Sequence, residues 1–198
     1  MTTPLRETLP NGLPNIQRLI TTTNPNGKSI LESSISPAPV WQPIQNNNMS
    51  FFLAYTTHQF PISLSHTPSS QNSTSTTPID IASYISDLSN PPGLSISSGT
   101  VVRFVDFAPG IECPMHKTVS LDYGVVLEGI IELVLDSGEK RVMGRGDLCV
   151  QRATGHLWRN VTPGEGWARM MFVLVGVERG VGIEEVGVEG MEGVRRSE

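Results

Sequence analysis

From Thr100 to Val177 the chain is a succession of short β-prone stretches separated by turn residues, and no segment of helical periodicity interrupts them. Thr100–Ala108 is β-branched and aromatic and stops at Pro109-Gly110. Val125–Leu127 and Ile130–Leu135 flank Glu128-Gly129, which reads as a hairpin, and Asp136-Ser137-Gly138 makes the next turn. Leu148–Gln151, Leu157–Asn160 and Trp167–Val177 complete the series. Short strands at turn-punctuated spacing predict an all-β fold, an antiparallel sandwich or barrel.

Charge is distributed to match. Residues 1–100 hold three Lys/Arg and four Asp/Glu, whereas 101–198 hold eleven and fifteen, so the charge-bearing folded part is expected in the second half. The net charge of −5 offers no clustered basic face, which excludes nucleic acid as an expected partner. No apolar run approaches the length of a membrane-spanning helix, so no membrane partner is expected. The first residues lack the apolar core of a secretory signal, and two cysteines, Cys113 and Cys149, make no disulfide framework. A reducing, cytoplasmic setting follows as the expectation.

Ahead of the strand series, residues 1–14 read as a flexible lead-in, and 15–64 as N-terminal strands packing on the barrel, with β-prone pieces at Ile16–Thr22 and Met49–Thr57. Residues 65–78 hold nine Ser or Thr in fourteen and no large hydrophobe, which predicts a disordered insertion. Residues 79–98 read as a short helix and connection. Thr77-Pro78 and Asp80 suit a helix start, Ile81, Ile85 and Leu88 make an apolar stripe, and Asn90-Pro91-Pro92-Gly93 ends it. The barrel then occupies 99–178. The tail, 179–198, carries five Gly and five Glu in twenty residues and is expected to be disordered.

Of four histidines, His66 lies in the Ser/Thr tract and reads as solvated, and His58 reads as a rim residue. His116 and His156 sit in distinctive surroundings. The first runs Pro109-Gly-Ile-Glu-Cys-Pro-Met-His116-Lys-Thr-Val-Ser-Leu-Asp122-Tyr-Gly-Val-Val-Leu-Glu128-Gly129, and the second Gly146-Asp-Leu-Cys-Val-Gln-Arg-Ala-Thr-Gly-His156-Leu-Trp-Arg-Asn160. These resemble the two motifs of the cupin superfamily. Gly110, His116, Asp122 and Gly129 fall at the first motif's spacing, and Gly146, His156 and Asn160 match the second with one residue fewer between Gly and His. Thr118 stands where the family has its second His, Asp122 where it has Glu, and Arg152 where it has Pro.

Trp41-Gln-Pro43, Leu53-Ala-Tyr-Thr-Thr57, Asn90-Pro-Pro-Gly93, Leu121–Gly129 and Met171-Phe-Val-Leu174 further resemble short single-cupin proteins of fungi and bacteria. Fungal members are associated with polyketide and other secondary-metabolite gene clusters as cupin-domain oxidoreductases. The resemblance implies a single cupin domain (a jelly roll or small β-barrel) with one short helix and an irregular N-terminal extension. It implies a metal-dependent oxidoreductase acting on a small aromatic or polyketide-derived molecule. A non-redox cupin enzyme, a decarboxylase or isomerase, and a metal-free binding cupin are the alternatives. Pairing with a second copy through a sheet edge is a family expectation.

Two imidazoles and one carboxylate converging inside a barrel suffice for a facial set of ligands with open positions. His116, Asp122 and His156 are the candidate catalytic and metal-ligating residues, for a divalent ion such as Fe, Mn, Zn, Ni or Cu. Asp122 is a methylene shorter than the family's Glu, which withdraws its oxygens by about 1.5 Å, so direct ligation needs backbone adjustment or an intervening water. The competing reading keeps the barrel, loses the metal, and leaves both histidines as hydrogen-bonded buried groups. Thr118, Tyr123, Trp158 and Arg152 are the candidate pocket residues, with barrel packing the alternative for the aromatics. Arg152 or Arg159 would anchor a substrate carboxylate unless it is an exposed strand residue. Glu128 faces either inward or into the turn, and the two cysteines read as small hydrophobes.

Overall fold

A computed structural model of the chain describes residues 7–65 and 77–197. The reading of residues 66–76 as a disordered insertion, with His66 in it, and of 1–6 as flexible lead-in, falls outside these described residues.

Three antiparallel sheets form. The largest has the order β3 (Gln42–Ile44), β4 (Met49–Thr57), β5 (Thr100–Phe107), β11 (Ala168–Gly176), β6 (Ser120–Glu128), β9 (Leu148–Arg152). Facing it is a three-stranded sheet, β10 (His156–Asn160), β7 (Ile131–Leu135), β8 (Lys140–Met143). One core fills the space between them, with Val101, Val105, Phe107, Val126, Ile131, Leu133, Trp158, Met170 and Phe172 all buried. Alternation drives this arrangement, since Val101, Val105 and Phe107 share one parity of β5 and point inward. The third sheet, β1 (Thr21–Thr23) with β2 (Ser29–Leu31), is a small ribbon largely open to solvent. Among the described N-terminal strands, β3 and β4 join the barrel and β1 and β2 do not.

The helix α1 spans Ile79–Ser89 and lies on β4. Its buried face is Ile81, Tyr84 and Asp87, while Ile85 and Leu88 are about two-fifths exposed, so the expected apolar stripe is rotated by one position. Tyr84 decides the orientation, because its hydroxyl donates to the Leu53 carbonyl at 2.8 Å and its ring packs at 4.8 Å from Tyr55. Asp87 follows it inward, accepting from Thr56 and sitting 2.7 Å from the His58 ring.

Two further expectations are corrected. Glu128-Gly129 is not a hairpin turn, because β6 pairs with β11 and β9, whereas β7 belongs to the opposite sheet. The chain crosses between sheets there, with Gly129 at φ +80 and so close to Ala168 and Thr162 that a Cβ would sit within 2.7 Å of their side chains. The tail after residue 178, expected to be disordered, packs onto the barrel through residue 197. Val186 bridges Lys117, a single 3-10 turn covers Val188–Gly190, and Val188 and Met191 are buried in the main core. Two well-placed apolar side chains suffice to dock a segment whose average composition is polar. Residues 7–14 are tied down as well, with Leu13 buried and the Pro14 carbonyl accepting from Arg169 at 2.6 Å.

Candidate active site

The segment 109–119, between β5 and β6, runs antiparallel along β10 and is bridged to it at Glu112–Arg159 and His116–His156 without forming a continuous strand. It is pinned where His116 and His156 exchange backbone hydrogen bonds, each N–H to the other carbonyl at 2.9 Å. This bridge brings the two imidazoles together, with ring centroids 4.3 Å apart and planes tilted by 51°. Each ring is then oriented by a local carbonyl. His116 Nδ1 lies 2.9 Å from the Pro114 oxygen and His156 Nδ1 2.9 Å from the Thr154 oxygen. A carbonyl only accepts, so both Nδ1 atoms carry the proton and both Nε2 atoms keep a lone pair. Burial pushes His156 down to about 3, reinforced by its neighbour His116, and pushes His116 below the ordinary range against the pull of the Pro114 carbonyl. Both rings are therefore neutral at physiological pH.

Asp122 enters from β6, 4% exposed. Its Oδ2 accepts from Thr118 Oγ1 at 3.2 Å, and Thr118 in turn accepts from Ser120 at 2.9 Å. Its Oδ1 is buried with no partner. Burial raises this carboxyl to about 6, against the lowering effect of the Ser120 and Thr118 hydroxyls. Among the described residues no three His, Cys, Asp or Glu side chains come close enough to share an ion. The structure thus pairs His116 with His156 but leaves Asp122 apart, held by Thr118 and one methylene short. The donor chemistry of the pair itself fits a divalent ion: two neutral, carbonyl-anchored imidazoles, with an unpartnered carboxylate oxygen in the same cavity.

That cavity has a volume of about 60 Å³. Its polar lining is His116, Thr118, Asp122, His156, Gln45 and Arg103, and much of the rest is aromatic, from Phe51, Phe107, Trp158 and Phe172. Of the pocket residues expected from sequence, Thr118 and Trp158 line it, while Tyr123 is 40% exposed and lies outside its wall. Tyr123 has the opposite strand parity to Asp122 and Gly124 and so faces outward. Arg152 is exposed at the end of β9, and Arg159 is held on the surface by Glu112 and Glu132. Neither guanidinium reaches the cavity. Glu128 is partly buried and lies 3.5 Å from Arg145. Cys113 does line the cavity, as a thiol that burial pushes up to about 12, whereas Cys149 is only partly buried. Asn160 anchors the fold instead of lining the pocket, donating to the carbonyls of Phe107, Ala108 and Gly166 at 2.9–3.0 Å.

Much of the wall belongs to neither motif and was not expected, including Gln45, Phe51, Phe107, Phe172, Met191 and Arg103. Met191 comes from the tail. Arg103 shares the inward parity of Val101, Val105 and Phe107, and a charged residue at that parity was the available signal.

A two-sheet antiparallel barrel holding a histidine from each of two distant segments defines a cupin. No family model matches the chain, but relatives match it over most of their length. Phomopsin biosynthesis cluster protein C′ of Diaporthe leptostromiformis is 47% identical over 156 residues, 79% of this chain and 76% of that one. Oryzines biosynthesis cluster protein J of Aspergillus oryzae is 41% identical over 81% of this chain and 82% of that one. The cupin-domain-containing oxidoreductase srdD of Neurospora crassa is 39% identical over 92% of this chain and 86% of that one. Among solved structures, one described as giving insights into the mechanism of oxalate oxidase superposes with a TM-score of 0.35 at 29% identity, over 39% of this chain and 42% of that one. The chain belongs to the fungal cupin-domain-containing oxidoreductases found among secondary-metabolite cluster proteins.

Proposed function

We propose that the chain oxidises or reduces a small organic molecule, aromatic or polyketide-derived, in the barrel cavity, and that His116 and His156 hold a divalent metal there. The observation that carries this reading is the imidazole pair, neutral, with both Nδ1 atoms committed to carbonyls and both Nε2 lone pairs uncommitted. When bound, a redox-capable divalent ion supplies Lewis acidity and an electron route that imidazole and carboxyl groups lack. Asp122 sits in the same cavity as a carboxyl positioned by Thr118, able to hold a proton near neutral pH or to accept a hydrogen bond at Oδ1. Phe51, Phe107, Trp158 and Phe172 exclude water and offer ring faces and edges to an unsaturated substrate. The relatives' names place those proteins in biosynthesis clusters, which supports a biosynthetic intermediate as substrate.

Metal analysis of purified protein loaded separately with Fe, Mn, Zn and Ni is the test. The expected result is about one equivalent of at least one metal per chain, lost in the H116A/H156A double variant. Failure to retain any of the four, or full turnover by the double variant, sinks the site. The separation of Asp122 from the pair favours, as second reading, imidazoles that act on substrate without an ion, and undiminished activity after chelation selects it.

A further inference from the structure

Beside the barrel cavity lies a larger groove of about 320 Å³, bounded by strand β4, the segments around Ile35–Val40 and Leu88–Pro92, and the tail at Gly193–Arg195. Three arginines line it, Arg18, Arg103 and Arg195, and among the described residues no Asp or Glu does, in a chain whose net charge is −5. Arg103 and Phe51 also line the barrel cavity and so form the partition between the two spaces.

The arginines are short of acceptors. Arg103 is 6% exposed, yet the only hydrogen bond from its side chain among the described residues runs from Nη2 to the Gly93 carbonyl at 3.0 Å, and its Nε is buried without a partner. Its guanidinium lies 4.5 Å from the centre of the Phe51 ring, which offsets part of the cost of burial but supplies no counter-charge. Burial alone lowers its pKa to about 10, with no acidic group acting on it. Arg18 repeats the pattern. It donates to the Tyr84 hydroxyl and the Ser36 carbonyl, its Nε is buried without a partner, and its guanidinium is 5.3 Å from the Tyr84 ring centre. Arg195 is spent only on Asn90 and Pro91 oxygens.

A buried guanidinium costs several kcal/mol to desolvate unless a negative charge meets it. Buried Arg103 and half-buried Arg18, each with an unpaired Nε, in a groove otherwise walled by Phe51, Phe52, Leu88, Val40 and two prolines, specify the missing partner. We propose that this groove binds an organic carboxylate with an apolar body, its acidic group meeting Arg103 and Arg18 and its body lying on the Phe51–Pro92 wall. Carboxylates match the guanidinium fork in geometry and charge. The groove is a site separate from the histidine pair and does not depend on a metal there.

Calorimetric titration of chelator-treated full-length protein tests this, with benzoate, benzamide and inorganic phosphate as probes. Benzoate is expected to bind at least about tenfold more tightly than its neutral isostere benzamide, and more tightly than phosphate, which lacks the apolar body. Arg103→Met should abolish the benzoate preference, and the exposed Arg195→Gln, which cannot disturb the core, should weaken benzoate severalfold while leaving benzamide unchanged. The H116A/H156A variant should bind benzoate as wild type does, so loss of the metal site and loss of this one are told apart. Equal affinity for benzoate and benzamide overturns the proposal, as does phosphate binding as tightly as benzoate. A preference that survives in both arginine variants overturns it too.

Discussion

Two arginines are buried in this barrel, and their surroundings are opposite. Arg169 on β11 is 1% exposed and satisfied on every side. Asp106 takes it at both oxygens, 2.5 and 2.7 Å away, Pro14 accepts from Nη1, and Trp41 lies under the guanidinium at 4.8 Å. Asn11 adds a further donor to Asp106 at 3.2 Å. Arg103 on the neighbouring strand has an aromatic ring and one carbonyl, but no carboxylate. The first ties the N-terminal segment to the sheet. The second borders two cavities, and the charge it lacks has to arrive from outside. Burial alone does not say what a charged residue is for; whether its partner lies inside the chain does.

The comparison breaks most visibly at Asp106. Asp106→Ala leaves Arg169 buried without its counter-charge, and urea unfolding should show a loss of about 3–5 kcal/mol. A loss under about 1 kcal/mol would mean the pair is not the structural anchor described. A second difference concerns pH. The unfolded His156 takes a proton near 6.5, which the folded residue refuses until about 3, so its contribution to stability falls as pH drops below 6.5. Asp122 works in the other direction, keeping its proton up to about 6 when folded, and so gains stability as pH falls. In chelator-treated protein, wild type should therefore lose about 2 kcal/mol more than His156→Gln between pH 7 and pH 5. Parallel pH profiles would show that the ring is not held neutral. The smallest effect is expected at Arg103, where Arg103→Met removes an uncompensated buried charge and should change stability by no more than about 1 kcal/mol. A loss matching that of Asp106→Ala would make Arg103 a structural residue.

What was legible in the sequence follows local rules. Met49–Thr57 is β-prone, Ile79–Ser89 opens on Pro78 and closes before Asn90-Pro91, and both form as elements. The two motif histidines, forty positions apart, meet because each motif places its residue on the same backbone bridge. What stayed hidden depends on long-range partners. Glu128-Gly129 has the composition of a hairpin turn, and only the approach of Ala168 and Thr162 turns it into a crossing between sheets. Tyr123 and Trp158 look equally suited to a pocket, yet strand parity sends one outward and the other in. Motif spacing brings Asp122 toward the imidazoles, yet its Oδ2 is taken by Thr118, and among the described residues the three do not cluster as an ion site.

The docked tail has a consequence for the cavity. Met191 lines its wall and Val188 lies in the core, and both follow the last described strand along the chain. Gly187, at φ +78 and with its Cα so near the Met115 carbonyl that a Cβ would lie 2.2 Å from that oxygen, leads them in beside His116. The chamber around the imidazoles is therefore closed on one side by a residue that belongs to no strand, so its shape can be altered there without disturbing sheet pairing.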